Sequence, residues 1–169
     1  MKEIQFLLFI FILLPVLSFS QSMSIGITGS SAFNDIQYDI KEAGTDFTTS
    51  IENESDLYIH IEYINFWDKF FSSNNKWKIH IQKADIDWNP NIVIETKRTG
   101  DGNRPWYRSG SVKINDGLTY QTITNTPMYF FSGKDEIFYI PIQIKISGIS
   151  LTMGAKDFET NIMLTVYDD

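Results

Sequence analysis

The segment Ile137–Ser147, IFYIPIQIKIS, sets the fold class. Phe138, Ile140, Ile142, Ile144 and Ile146 fall on one side of an extended chain, and Tyr139, Pro141, Gln143 and Lys145 fall on the other. A helix would spread these isoleucines around its circumference. A strand, whose side chains alternate with a period of two, gathers them on one face. The segment therefore predicts a long strand with a single buried face. The C-terminal stretch repeats the pattern, with Phe158, Thr160, Ile162, Leu164 and Val166 opposite Glu159, Asn161, Met163, Thr165 and Tyr167. Trp77, Ile79 and Ile81 likewise alternate with Lys76, Lys78, His80 and Gln82, apolar inward and polar outward.

Weaker versions of the same signal fill much of the remaining chain. Met23, Ile25 and Ile27 mark a short strand, and Ile36, Tyr38 and Ile40 a weaker one. Residues 47–51 are a further candidate. Ile59, Ile61 and Tyr63 share a face, Ile92 and Ile94 open a strand that runs into Arg98, and Met128 begins a short apolar run. The cluster TGDGNRP at 99–105 is the strongest turn signal. Asp116-Gly117, between Val112 and Ile114 on one side and Leu118, Tyr120 and Thr122 on the other, is the dipeptide favoured in a tight hairpin. The aromatic run Trp67 to Phe71 reads as a short helical turn or as the exit of the preceding strand, and 85–91, DIDWNPN, as a loop. Nowhere does a helical period persist. About eight to ten short strands in one cysteine-free domain predict an antiparallel two-sheet β-sandwich with Greek-key connections of the immunoglobulin-like kind, with a closed barrel as the alternative.

Residues 1–20 read as an export signal. A nearly unbroken apolar run from Phe6 to Leu17 follows a short polar start, and Ser18 and Ser20 supply small residues before Gln21. The run is shorter than the ~20 residues of a membrane span, so no membrane insertion is expected once the signal is removed. The remaining 21–169 then form one domain outside the cytoplasm, secreted or at the cell surface. The chain has no cysteine, which excludes disulfides and thiol catalysis. Its net charge of −7 argues against a nucleic-acid partner and against adhesion to anionic lipid.

Reactive chemistry has little to stand on. No serine lies in a nucleophile elbow, and Asp135-Glu136 are adjacent rather than opposed, so no enzyme and no cofactor are expected. Asp85, Asp87, Asn89 and Asn91 open like a calcium loop, but Pro90 and Thr96 stand where the EF-hand needs glycine and glutamate, so any calcium site would have to be a looser one. His60 and His80 lack ligands at zinc spacing. Aromatic residues are the better binding candidates. Trp67, Trp77, Trp88, Trp106, Tyr107 and Tyr120 carry rings suited to stacking on sugars. Trp77 belongs with the core isoleucines, whereas Trp88 and Trp106 lie in loops. Arg104 and Arg108 flank Trp106, so Trp88, Arg104, Trp106 and Arg108 form a candidate ligand patch.

The export signal, the alternating Met23-Ser24-Ile25-Gly26-Ile27 and the ending FETNIMLTVYDD together resemble bacterial pilin-like secreted domains of the chaperone–usher and spore-coat-U kind. The resemblance implies an extracellular structural or adhesive subunit, with other subunits or a periplasmic chaperone as partners. It also implies assembly by strand exchange, in which Met23, Ile25 and Ile27 would donate a strand and Ile162, Leu164 and Val166 would line the acceptor edge. Many such subunits carry a disulfide that this chain lacks, and Tyr167 stands third from the end rather than next to last. The alternative is a monomeric secreted module that binds a glycan or a protein. Ordinary pairing of the first strand within its own sheet is the alternative to donation.

Overall fold

The computed structural model describes residues 22–31, 33, 50–53, 56–72, 74–154 and 156–169. The expected leader 1–20, the alternation at Ile36, Tyr38 and Ile40, and residues 47–49 lie outside them. The described chain contains ten strands: β1 (Met23–Gly29), β2 (Ile51–Glu52), β3 (Leu57–Tyr63), β4 (Lys76–Asp87), β5 (Val93–Arg98), β6 (Ile114–Asn115), β7 (Gln121–Thr122), β8 (Met128–Lys134), β9 (Ile137–Ser147) and β10 (Glu159–Asp168). A short helix, α1 (Phe66–Phe71), and a 3-10 turn (Leu151–Met153) complete it.

One sheet runs β1-β3-β9-β5-β7, with β2 also on β9; the other runs β10-β4-β8-β6. All ladders are antiparallel. Both sheets stay open, so the fold is a two-layer β-sandwich and not a closed barrel. From β4 onward each strand lies in the sheet opposite its predecessor, so every connection after β3 crosses the sandwich. The inner faces are the alternating apolar sets. Ile59 and Ile61 of β3, Ile94 of β5 and Ile140 and Ile142 of β9 meet Trp77, Ile79 and Ile81 of β4 and Phe130 and Phe131 of β8. Each such side chain contributes roughly 1.5–3 kcal/mol by leaving water. Trp77 is fully buried, edge-on to Phe131, and its indole N–H donates to the Asp135 carbonyl at 2.8 Å.

The long strand departs from strict alternation at its start. Ile59 pairs with Ile140 but Ile61 pairs with Ile137, so β9 carries one extra residue there, and Tyr139 has φ 57°. This is a β-bulge, which inserts a residue and reorients those before it. As a result Ile137 and Ile140 both face the core, and Phe138, expected there by parity, is only half-buried. The bulge leaves the Tyr139 N–H without a ladder partner, and His60 on β3 accepts it through Nδ1 at 3.2 Å. With Nδ1 accepting, Nε2 holds the proton and donates to Thr28 Oγ1 at 2.6 Å. His60 is thus a satisfied structural residue.

Two further expectations are corrected. Asp116 and Gly117 both take positive φ, 64° and 76°, as a tight primed turn requires. They do not close a hairpin, because β6 pairs with β8 in one sheet while β7 pairs with β5 in the other. The turn is a crossing between layers, and the buried Arg98 fixes it: its backbone N–H donates to the Gly117 carbonyl, and its guanidinium donates to the carbonyls of Asp116, Gly100 and Ile114 and to the Asp101 carboxylate. Strand β4 also extends through Asp85 to Asp87, residues expected in a loop, because β10 pairs with them.

Candidate interaction surface at the aromatic end

β3 leaves its sheet at Tyr63 and the chain turns at once into α1, FWDKFF. Six residues are too few to hold a helix unaided. Side-chain contacts supply the rest: Asp68 accepts from Ser72 Oγ at 2.9 Å and from Asn65 Nδ2 at 3.2 Å, and its carbonyl accepts from the distant Arg108 at 3.0 Å. At 100° per residue, Phe66, Trp67, Phe70 and Phe71 cover an arc of about 140°, and Asp68 and Lys69 fall outside it. In an ordinary surface helix the apolar arc faces the core. Here it faces away. Asp68 and Lys69 are half-buried, all four rings are exposed, Phe71 by 78%, and no residue of α1 is buried.

A second segment joins these rings from the turn after Asn103. Tyr107 lies against Phe70 with centroids 5.6 Å apart, and Trp106 stands edge-on to Tyr107 at 5.5 Å. Phe66 touches Trp67 and Phe70, and Trp67 stacks on Phe71. The rings are therefore contiguous from Phe71 to Trp106, and Trp106 is 93% exposed. Ile64 is exposed beside them in sequence.

Beneath the rings lies a polar layer built on the β8–β9 connection. Glu136 is fully buried; one oxygen accepts the Tyr63 N–H at 3.2 Å and the other the Tyr107 hydroxyl at 2.8 Å. Asp135, at φ 59°, accepts the Asn74 N–H at 2.6 Å and the Tyr63 hydroxyl at 3.3 Å, and pairs with Arg104 at 3.3 Å. Arg104 also donates to the Ser111 carbonyl, and the Arg108 guanidinium lies 5.4 Å from the Tyr63 ring centre. Burial, reinforced by the Asp135 charge, pushes the Tyr63 phenol up to about 12. Burial and the hydrogen bond to Glu136 push Tyr107 upward as well. Both phenols therefore stay neutral donors, and the carboxylates they serve fix the ring-bearing segments to the sandwich.

The structure gathers part of the candidate patch and separates the rest. Arg104, Trp106 and Arg108 lie together, but the two arginines point inward and hold the loop, leaving Trp106 to face solvent. Trp88 lies beyond the opposite end of β4, roughly 35 Å of strand from Trp77. Its indole N–H donates to the Ile92 carbonyl at 2.9 Å and Lys83 lies over its ring. The rings of Phe66, Trp67, Phe70 and Phe71 carried a readable signal in the FWDKFF pattern; which way that arc faces is settled only by tertiary contacts.

The strand-exchange residues also have definite places. β1 is paired with β3 of its own sheet, Ile25 opposite Ile61; Met23 is fully buried and Ile27 exposed. β10 lies at the end of its sheet, beyond β4. Ile27, Ile162 and Leu164 all line one apolar cavity of about 270 Å³ between the sheets, with Ile59, Ile123 and Phe130 deeper inside. In the 85–91 segment the acidic groups do not converge. Asp85 accepts from Lys83, Asn125 and Thr160, which hold its carboxyl below the ordinary range, Lys83 most strongly. Asp87 pairs with Lys156, and Asn89 Oδ1 accepts the Asn91 N–H. No group of three or more acidic, histidine or cysteine side chains suited to a metal occurs among the described residues. No helix among them is long and apolar enough to cross a membrane.

Fold and surface together define an antiparallel β-sandwich that carries an exposed aromatic end. Compared with known proteins, the chain matches no family model, no curated protein and no solved structure.

Proposed function

We propose that this protein is an exported, non-enzymatic structural or adhesive subunit of the cell surface, and that it engages a protein partner through the aromatic end. The observation that carries the reading is the inverted helix: α1 turns its charged side chains toward the body and its four rings toward solvent. Taking ~200 Å² per aromatic side chain, weighted by exposures of 52% to 93%, the five exposed rings offer about 700 Å², above the ~300–600 Å² of the largest patch on a typical monomer. The cationic side chains around the rings are already engaged: Lys69 pairs with Glu62, Arg104 with Asp135, and Arg108 donates to the Asp68 main-chain carbonyl. A sugar site needs free hydrogen-bonding groups beside its rings to read hydroxyls, so these pairings favour an apolar protein surface over a glycan.

The test is retention on the producing cell. Wild-type protein should stay with the washed cell surface, and Trp67→Ala/Phe71→Ala should be released to the medium with an unchanged melting temperature. Equal retention of both proteins rules the aromatic end out. The cavity shared by Ile27, Ile162 and Leu164 favours a second reading, strand exchange, because an apolar cleft between sheets is what an inserted strand fills. Cysteines at the register partners Ile25 and Ile61 would lock β1 in its own sheet. Assembly that survives oxidation of that pair excludes exchange.

A further inference from the structure

We infer that the aromatic end is a homotypic interface, and that its occupant is the same end of a second copy of this chain. The inference rests on the reading that this end docks an apolar protein surface. Area is the first argument. A standard interface buries about 800 Å² on each partner. At ~200 Å² per side chain, weighted by exposures of 52% to 93%, the five exposed rings alone supply about 700 Å², and Ile64 adds to them. An interface formed by two copies of this patch would therefore approach the size of a standard contact.

Charge is the second argument. The chain carries −7, which drives copies apart wherever that charge is presented. Among the described residues, the charged groups bonded to the ring-bearing segments and to one another are three cations (Lys69, Arg104 and Arg108) and four acids (Glu62, Asp68, Asp135 and Glu136), a net of −1. Two of those acids are buried and bonded, Asp135 and Glu136. The aromatic end is thus a nearly neutral place on an acidic molecule, and two copies meeting there incur little repulsion. Like-charge contact elsewhere would cost several kcal/mol. Geometry is the third argument. A two-fold contact needs a patch that complements itself, and α1 presents rings in several orientations, Trp67 stacked on Phe71 but edge-on to Phe66. Edge and face are both available, as the preferred offset and T-shaped pairings of aromatic rings require.

Analytical ultracentrifugation of the purified protein tests this. The wild type should pass from monomer to dimer over about 1–100 μM. Trp67→Asp/Phe71→Asp should weaken the dimer at least ~100-fold, since several rings then meet a desolvated charge. Trp106→Asp, on the other segment, should weaken it at least ~10-fold without touching α1. Far-UV circular dichroism and melting temperature of the monomeric variants should match the wild-type monomer. A wild type that stays monomeric at ~100 μM overturns the homotypic contact, including the case in which that monomer binds zwitterionic vesicles. A dimer that survives all three substitutions overturns it equally. A monomeric wild type whose cell-surface retention still depends on Trp67 and Phe71 would sink this inference alone and leave the docking role standing.

Discussion

Asp135→Asn isolates what the buried polar layer contributes. Asp135 has φ 59°, a conformation that asparagine adopts as readily as aspartate, so the substitution adds no backbone strain. The asparagine oxygen can still accept the Asn74 N–H. What is lost is the negative charge opposite Arg104, whose side chain is 10% exposed against 8% for Asp135. Removing one member of a buried pair costs about 3–5 kcal/mol, because the other charge is left uncompensated. Arg104 keeps its bond to the Ser111 carbonyl, which places the expectation near the lower end, ~3 kcal/mol. For a chain of this size that is a drop of roughly 6–12 °C in melting temperature. Urea denaturation should show a lower midpoint at unchanged slope. The double variant Asp135→Asn/Arg104→Met should then cost less than the two single substitutions combined, by ~1 kcal/mol or more. A single-variant cost below ~0.5 kcal/mol, with simple additivity, would refute the view that this pair anchors the aromatic end.

Two further outcomes follow from the geometry. Gly102 has φ +69°, and an added Cβ would stand 2.5 Å from the Phe138 carbonyl oxygen, so Gly102→Ala should destabilise the protein by about 2 kcal/mol or more in thermal denaturation and disturb the bulge of β9. A wild-type melting temperature in that variant would mean the bulge is not held from this side. Alkaline stability should be linked to Tyr63. Its folded pKa is raised from 10.0 to about 12, so its contribution is complete below pH 10 and is lost as pH climbs from 10 through 12, where the unfolded phenol ionises and the folded one does not. Urea midpoints measured across that window should fall less steeply for Tyr63→Phe; equal slopes would remove Tyr63 from the account.

Much of the architecture was legible in advance because a half-buried strand writes itself into sequence with a period of two. β4, β9 and β10 are long enough for that record to be unmistakable, and Trp77 falls among the isoleucines where parity puts it. The record fails where one residue changes parity or partner. The bulge at Tyr139 moved Ile137 into the core and Phe138 toward the rim, because a hydrogen bond to His60, distant in sequence, holds the extra residue. Asp116-Gly117 has the backbone of a hairpin turn, yet Arg98 ties it as a bridge between layers. Short-range chemistry specified the turn; only the layers to which β6 and β7 belong specified what it connects.

The aromatic end shows the same division. Six residues, FWDKFF, determine that four rings share one arc of a helix, since the helical angle is a local property of the backbone. Whether that arc lies inward or outward is not local. It is decided by Asp68, held by Arg108, and by the carboxylates of Asp135 and Glu136, which draw Arg104 and Tyr107 beneath the surface and leave the rings above it. A buried charge must find its partner wherever the fold brings one, and no pattern along the chain records that distance.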